Sequence, residues 1–464
     1  MMRAPARPRV SSFHVRPTAN TSRSRTVSPQ KEVVPTTQRT KLPLFASAFL
    51  VCVFIPWLWT VGSLVLTPYR VVLLVGFVPC MYLWLSGKAG KVSAADILII
   101  LYCLWSALSL CMVHGAQTAV QSGGVIILET AGAYFFGRCF IRGPDQFYGM
   151  VRLFLVIVAI MFPFTLFETL SNQNITLELF SKLFAVPPEA FKEARWGLRR
   201  VQGVFEHPIL FGVSCGAMLS LVHMVYGFEQ TTARRWFAST LVFTTAFLSL
   251  SSGPITALIA QTSLIFWNWF LAKDPRRWQY LWIFSLSIYA FIALASNQSV
   301  FQFLLSRFSF EPVSAYYRVL IWEFGTHSVV NHPLFGVGYG RWDRPEWMPP
   351  SIDMFWLYHA ILFGLPAAIF MMGGFLTMFM KIAFKKESDT LRLRYRIAYL
   401  IMMTGYFLVG WTVHFWNATY VLFLFLLGSG SWLLDGRDSE TRSKLRGLEP
   451  SLRIQARKTM ARTF

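Results

Sequence analysis

Long apolar runs, separated by short polar segments, repeat along the chain from Leu42 to Leu434. A helix needs about 20 apolar residues to cross the hydrocarbon core, and about twelve runs have roughly this length. Their approximate extents are Leu44 to Leu66, Tyr69 to Ser86, Ala95 to His114, Ala119 to Ile141, Met150 to Ser171, Pro208 to Phe228, Phe237 to Leu250, Pro254 to Ala272, Trp278 to Ser296, Asp353 to Met380, Ile397 to Trp411 and Val413 to Leu434. The pattern predicts an all-α, polytopic integral membrane protein with about twelve transmembrane helices.

Two polar segments, residues 172–207 and 297–352, are much longer than the others. In the first, a Pro187-Pro188 pair precedes Glu189 to Trp196, a stretch that suits a short interfacial helix. In the second, apolar residues recur at helical spacing, namely Tyr317, Leu320, Ile321 and Phe324. We therefore expect both loops to contain short helices and to be long enough to form a site.

Charge gives an independent prediction of topology. The chain has 43 Lys and Arg against 22 Asp and Glu, a net charge of +21. Most of the basic residues lie in the two tails and in alternate loops, those with Lys88 and Lys91, Arg138 to Arg152, Arg234 and Arg235, Lys273 to Arg277, and Lys381 to Arg396. Cytoplasmic segments carry such an excess, so both termini are predicted in the cytoplasm and both long loops on the outer face. The charge suits a lipid bilayer with an anionic inner leaflet and requires no nucleic acid partner.

The two ends of the chain differ in composition from its middle. Residues 1–41 are rich in Pro, Ser and Thr and carry nine basic residues against the single acid Glu32. Such a segment cannot bury a core and is predicted to be a disordered, basic cytoplasmic tail. Residues 435–464 are interpreted as a second basic cytoplasmic tail, which leaves 42–434 as the membrane domain.

An arginine-rich stretch, RWGLRRVQGVFEHP at Arg195 to Pro208, lies on the predicted outer side. The positive-inside bias does not explain these arginines, whereas an anionic ligand would. Guanidinium groups stay charged and bind phosphate oxygens through two parallel hydrogen bonds. The residues predicted to bind such an anion are Arg195, Arg199 and Arg200 from the first loop and Arg318 from the second.

These arginines also have structural interpretations. Those of the first loop can contact lipid headgroups or pair with Glu189 and Glu193. Arg318 can contact Glu323, five residues further on, if both lie on a surface helix.

The chain resembles the bacterial O-antigen ligase and polymerase superfamily of membrane glycan transferases. The matching segments are RVQGVFEHPI at Arg200 to Ile209, YRVLIW at Tyr317 to Trp322, HPLFGVGYG at His332 to Gly340, SIDMFWL at Ser351 to Leu357 and FGLP at Phe363 to Pro366. They cover roughly the second half of the chain, and the amino-terminal half matches only in hydropathy.

The resemblance implies transfer of a glycan from a polyprenyl-diphosphate carrier to a sugar hydroxyl on a glycan acceptor. The reaction would occur on the periplasmic face of the bacterial inner membrane, with Arg200 and Arg318 holding the diphosphate. Ligases of this family commonly carry a histidine early in the span after the large outer loop, where this chain has Asp353. The departure favours the branch that polymerises exopolysaccharide or O-antigen repeat units. Whether a chain-length regulator binds is left open.

The chemistry of this transfer defines the remaining candidates. Displacing a diphosphate builds negative charge that a metal ion or fixed cations must neutralise. The chain has no Asp-x-Asp motif, so the arginines are predicted to act without a metal or other cofactor. A proton acceptor is also needed, and the candidates are Glu206, His207, His332 and Asp353, with Glu323 as a further one. Glu206 and Asp353 lead, because each lies where a loop enters a span.

Alternatives to these assignments stay open. The His207-Pro208 and His332-Pro333 pairs can simply begin helices, with the histidine bonded to the local backbone. An O-antigen ligase would move finished polymer to a lipid A-core acceptor, with the same carrier chemistry. A flippase for lipid-linked oligosaccharides is a third hypothesis, although the chain lacks the repeated halves that are typical of transporters.

Overall fold

The computed structural model describes residues 41–62, 64–297, 299–300, 302–303 and 312–435 of the 464-residue chain. The predicted tail 1–41 lies outside the described residues except for Lys41. The predicted tail 435–464 lies outside them except for Asp435. Part of the second long loop, mainly 304–311, is also outside.

Helices dominate the described residues. The α-helices are α1 Leu44–Val53, α2 Pro68–Leu85, α3 Ala94–His114, α4 Ala116–Ile127, α5 Ala133–Phe140, α6 Pro144–Ser171, α7 Ile175–Ser181, α8 Pro208–Gly216, α9 Leu219–Leu221, α10 Thr232–Phe247, α11 Ser252–Phe270, α12 Arg277–Ala295, α13 Pro312–Asn331, α14 Phe355–Phe363, α15 Leu365–Phe384, α16 Thr390–Val409 and α17 Asn417–Ser429. A π-helical turn, Leu128–Gly132, joins α4 to α5, and a second, Val222–Tyr226, follows α9. Short 3₁₀ helices span Gly227–Glu229 and Ser431–Leu434.

Within the described part of the chain, seven helical segments are long and apolar enough to cross a membrane. They are Pro68–Leu85, Ala94–His114, Pro144–Ser171, Pro208–Glu229, Arg277–Ala295, Leu365–Phe384 and Asn417–Leu434. Each coincides closely with a predicted span or with part of one. The chain is therefore a mostly helical membrane protein, as the hydropathy pattern predicted. The figure of about twelve spans stays a prediction.

The first predicted span, Leu44 to Leu66, is not a single helix. α1 ends at Val53, and an antiparallel hairpin follows, with β1 at Trp59–Val61 paired to β2 at Leu64–Leu66. Pro56 has no N–H to continue a helix and disfavours the helical conformation of the residue before it. β-Branched residues beyond it suit strands. The length of the apolar run alone therefore wrongly predicted a single helix here.

The predicted span from Asp353 to Met380 is also interrupted. Gly364 adopts φ +84° and separates α14 from α15. A Cβ at this position would lie 1.9 Å from the carbonyl oxygen of Leu334, so only glycine fits the close approach.

Tight packing in the core joins α5 to α17. A Cβ on Gly137 would lie 2.0 Å from the Phe425 carbonyl oxygen, and one on Gly428 would lie 2.0 Å from that of Tyr134. Small residues of this kind let membrane helices approach closely. The contact fixes the start of α17 near the π-helical turn that precedes α5, where Thr130 Oγ1 and Tyr420 Oη are 2.7 Å apart.

Segments that the charge pattern assigns to the same side of the membrane contact one another. On the predicted inner side, Lys385 Nζ donates to the Leu433 carbonyl at 2.6 Å. On the predicted outer side, the backbone N–H of Tyr339 donates to His114 Nε2 at 2.8 Å, and Arg318 reaches Thr412. Loops that are predicted on the same side thus contact one another, and those predicted on the outer side form the candidate site.

Candidate functional site

The predicted outer loops enclose a cavity of about 840 Å³, which we call the arginine cavity. Its walls come from residues 192–196, 207–210, 314–321, 348–353 and 412–416, with Arg200 and Ser252. The predicted site residues in this lining are Arg195, Arg200, His207, Arg318 and Asp353. Segments more than a hundred residues apart in sequence therefore contribute to a single concave surface.

Arg195 is held at the start of a tight turn. It exchanges two backbone hydrogen bonds of 2.9 Å with Leu198, and Trp196 and Gly197 between them adopt φ +53° and +74°. Positive φ at both central residues is the type I′ hairpin geometry, which is strained for a residue as large as tryptophan. The Arg195 guanidinium donates to the Leu250 carbonyl at 2.8 Å. The turn thus holds Arg195 beside the segment that connects α10 to α11.

The RVQG turn that follows is anchored from below. The Glu168 carboxylate accepts the backbone N–H groups of Gln202 and Gly203 at 2.9 and 3.1 Å. The Asn174 side chain donates to the Gly203 carbonyl at 2.8 Å. Gly203 has φ +57°, and a Cβ there would lie 2.8 Å from the Phe211 ring. Glu168 and Asn174 thus determine where the chain carries Arg200, a role that the sequence did not reveal.

Arg200 and Arg318 are each oriented by a neutral oxygen. Arg200 Nη2 donates to Ser251 Oγ at 2.9 Å, and Arg318 Nε donates to the Thr412 carbonyl at 3.0 Å. These bonds help to position the two guanidinium groups. Arg318 is only 7% exposed, which contradicts the alternative that places it on a surface helix.

Arg199 differs from its neighbours because it pairs with carboxylates. It contacts the Glu189 carboxylate and the Asn172 carbonyl directly, and its Nε lies 3.7 Å from Glu168 Oε1. It is not among the residues of the arginine cavity. The structure thus supports the pairing alternative for Arg199 rather than the predicted contact with a diphosphate.

Asp353 brings a carboxylate to the arginine cavity just before α14 begins. Burial raises its pKa above the ordinary aspartate value, while the charges of Arg318 and Lys192 act in the opposite direction. A carboxylate with raised proton affinity, close to a guanidinium group, suits a proton acceptor.

His207 has a structural role and also lines the cavity. It caps α8, and its Nδ1 accepts the backbone N–H of Ile209 at 3.1 Å. Burial, aided by the charges of Lys192 and Arg200, lowers its pKa to about 4, so the ring is neutral at pH 7. The helix-start interpretation of His207-Pro208 is therefore confirmed.

Glu206 does not line the arginine cavity, contrary to its predicted role beside Asp353. Its Oε1 accepts the Asn417 side-chain N–H at 3.0 Å, and burial raises its pKa. The backbone of His207 is extended, with φ −153° and ψ 145°, so neighbouring side chains point to opposite sides. One side chain of the Glu206-His207 pair can therefore face the arginine cavity while the other faces away.

His332 also lies apart from this group. It is exposed in the turn after α13, where its N–H donates to the Ser328 carbonyl at 3.0 Å and its carbonyl accepts from Gly336 at 3.1 Å. It is not among the residues of the arginine cavity. The structure supports the turn-forming alternative for this histidine.

Sequence reasoning missed His414, which lies in the segment between α16 and α17 and lines the arginine cavity. Its ring stacks on Tyr358 with centroids 3.9 Å apart. The available signal was a histidine and an asparagine, Asn417, within a short connection between two apolar runs. The predicted spans Ile397 to Trp411 and Val413 to Leu434 leave no loop at this connection, so it gave no site prediction.

Comparisons with known proteins add no family assignment: no protein-family profile matches the chain, and no curated protein matches it. Among the described residues, no group of three or more His, Cys, Asp or Glu side chains could hold a metal ion. What stands is the class of protein, a helical membrane protein, and a cavity lined by arginines and a carboxylate.

Proposed function

We propose that the chain is a membrane glycan transferase. It moves a saccharide from a polyprenyl-diphosphate carrier to a sugar hydroxyl on the periplasmic face of the bacterial inner membrane, and it polymerises exopolysaccharide or O-antigen repeat units. The observation that carries the proposal is the arginine cavity, which Arg200 and Arg318, from separate loops, line together with Asp353.

The charge of the cavity favours a dianionic ligand. Its cationic side chains outnumber its carboxylates; the cations are Lys192, Arg195, Arg200 and Arg318, and the carboxylates are Glu193 and Asp353. Guanidinium groups from two directions can each bind phosphate oxygens bidentately. A volume of about 840 Å³ is large enough for a diphosphate with part of its saccharide.

The transfer is a displacement at the anomeric carbon. The acceptor hydroxyl oxygen forms the new glycosidic bond while the bond from the anomeric carbon to the diphosphate oxygen breaks. Its electron pair leaves with the polyprenyl diphosphate, whose growing charge Arg200 and Arg318 stabilise. The hydroxyl proton passes to the carboxylate of Asp353. His207 uses Nδ1 to cap its helix, so Asp353 is the better acceptor.

Purified protein supplies the direct test. The full chain would be incubated with carrier-linked oligosaccharide extracted from source cells in which its gene is deleted, with and without a chelator. We expect longer carrier-linked products under both conditions. Absence of any longer product from the wild-type chain would contradict the proposal.

The deletion itself separates the alternatives. Loss of a polymerase leaves single repeat units on the acceptor. Loss of a ligase leaves bare acceptor together with carrier-linked polymer, and loss of a flippase traps units on the cytoplasmic side. We expect the first pattern, measured by gel electrophoresis of cell-surface glycans.

A further inference from the structure

A second and larger cavity, of about 1260 Å³, lies beside the arginine cavity. Its walls come from α2, α3, the stretch from Val120 to Glu129, residues 338–352 and α14, together with residues 414–420. We call it the tyrosine-histidine cavity, after Tyr102, Tyr358, Tyr420, His359 and His414 in its lining.

Two of the three arginines that line this cavity, Arg70 and Arg341, are paired with carboxylates of the protein. Arg70 Nε donates to Glu129 Oε1 at 2.8 Å, and Tyr69 Oη donates to the same oxygen at 3.0 Å. The pair satisfies Glu129, which the sequence left as an isolated acid in an apolar run. Arg341, at the exposed edge, lies 3.3 Å from Glu346. An anionic ligand would have to compete with these carboxylates, and the third arginine, Arg344, already donates to the carbonyls of Pro345 and Met348, so the cavity favours an uncharged, hydroxyl-rich ligand.

Among the described residues, three in the lining have a buried polar atom without a hydrogen-bond partner, namely Arg344, His359 and His414, and His359 is the most informative. His359 is only 2% exposed, and its Nδ1 lies 2.9 Å from Tyr102 Oη. Within the part of the chain that the structure describes, His359 Nε2 has no hydrogen-bond partner. A buried polar atom of this kind carries a free-energy cost unless a ligand or water satisfies it. A ligand hydroxyl would do so.

Aromatic rings supply the remaining surface. The rings in the lining include Tyr339, Trp342, Phe415 and Trp416. Flat apolar rings beside fixed hydrogen-bonding groups match a saccharide, which presents C–H faces and hydroxyl edges.

The two cavities share a wall. Ser351, His414 and Trp416 line both of them. A saccharide in the larger cavity can therefore present a hydroxyl near these three residues. The arginine cavity, which the same residues line, would hold the carrier-linked donor.

We infer that the tyrosine-histidine cavity binds the saccharide of the acceptor, so that donor and acceptor enter from separate cavities and react where the cavities meet, beside Ser351, His414 and Trp416. The inference deepens the proposed function and rests on it for the words donor and acceptor. The saccharide site itself can be tested without any transfer.

Gly124 provides a selective block. It lies in the lining, and a Cβ built on it meets no atom within 4 Å. Gly124→Trp should therefore fill the cavity without disturbing the fold, and Gly124→Ala is the matched control. A melting curve checks the fold, and Gln121→Trp, on the same wall, replaces the first variant should it be unstable.

The first measurement is direct binding, by calorimetry on the purified full chain. The probe is the set of carrier-free oligosaccharides that mild acid releases from the membrane glycolipids of the source cells. We expect the wild type and Gly124→Ala to bind them alike, and Gly124→Trp to bind them about tenfold or more weakly. Arg318→Gln should bind them as the wild type does. Equal affinity in Gly124→Trp and the wild type, or no binding by the wild type, would overturn the inference.

The second measurement is kinetic and separates this inference from the proposed function. In Gly124→Trp the KM for the acceptor should rise about tenfold, while the KM for the donor and its slow hydrolysis by water stay unchanged. Equal increases in both KM values would overturn the separate-cavity arrangement. If the wild type binds the saccharide but never transfers it, the proposed function fails and the saccharide site stands. If the wild type transfers the saccharide and the acceptor KM is unchanged in Gly124→Trp, the saccharide site fails and the proposed function stands.

Discussion

The arginine cavity and the tyrosine-histidine cavity share lining residues but hold their principal arginines differently. In the first, the hydrogen bonds that orient Arg200 and Arg318 end on neutral oxygens, those of Ser251 and Thr412. In the second, Arg70 ends on the carboxylate of Glu129. We propose that Arg200 and Arg318 bind an anion, whereas Arg70 neutralises the carboxylate of Glu129.

The sharpest way to break this comparison is to remove the Arg318 charge. Arg318→Gln keeps a polar side chain near the Thr412 carbonyl but loses the cation, so elongation should fall by about 10²–10³-fold. The melting temperature should change little. Arg234→Gln is the matched control, since Arg234 is an exposed arginine near the start of α10. Wild-type elongation in Arg318→Gln would remove the arginine cavity from the mechanism.

The corresponding change in the other cavity should affect stability first. Arg70→Gln leaves the Glu129 carboxylate buried without its cation, which costs about 3 kcal/mol in the free energy of unfolding. Adding Glu129→Gln should recover part of the loss, because the buried charge then disappears. Denaturation of the single and double variants in detergent measures this coupling. Equal stability of Arg70→Gln and the wild type would show that the pair is not structural.

His207 allows a smaller test at the edge of the arginine cavity. Its folded-state pKa of about 4 lies below the ordinary value of about 6.5 for an unfolded histidine, so the neutral ring stabilises the fold fully above about pH 6.5. This contribution is lost as the pH falls through about 4. His207→Ala should cost about 1 kcal/mol at pH 7 through loss of the helix cap.

The variant should also show a weaker decline in stability between pH 6.5 and 4 than the wild type, as followed by melting temperature against pH. His207→Asn, which retains a capping side chain, is the control. An unchanged pH dependence in His207→Ala would contradict the assignment of a buried, neutral ring.

The smallest expected effect concerns the proton acceptor. Asp353 must be deprotonated to accept the hydroxyl proton, and burial raises its pKa, so elongation should be lost on the acidic side at a pH above the ordinary aspartate range. Lys192 lowers that pKa, and Lys192→Gln should therefore shift the acidic limb of the rate profile to higher pH. A shift to lower pH, or none in a variant that binds donor normally, would place the titrating group elsewhere.

Sequence reasoning singled out two residues of the arginine cavity because they stand out against hydropathy. Arg200 and Arg318 are cations on the side that should avoid them, and both line one cavity. It misjudged Arg199, since nothing in RWGLRR distinguishes an arginine that pairs with Glu189 from its neighbours. It also could not place Glu206, which lies outside the arginine cavity beside the extended backbone of His207.

The tyrosine-histidine cavity could not be predicted from the sequence. Its polar residues occur singly within apolar runs, as Tyr102 on α3 and His359 on α14 do, and they meet only after the helices pack. The hairpin at Trp59–Leu66 escaped for a different reason, because composition alone does not distinguish an apolar strand pair from an apolar helix.

The most direct test of the account is the affinity of the chain for the leaving group itself. Binding of undecaprenyl diphosphate to the purified wild type, to Arg70→Gln and to the Arg200→Gln, Arg318→Gln double variant would be measured by calorimetry at one salt concentration. The account predicts that affinity falls by about 10²-fold or more in the double variant and stays near the wild-type value in Arg70→Gln. Equal affinity in the double variant and the wild type would contradict it.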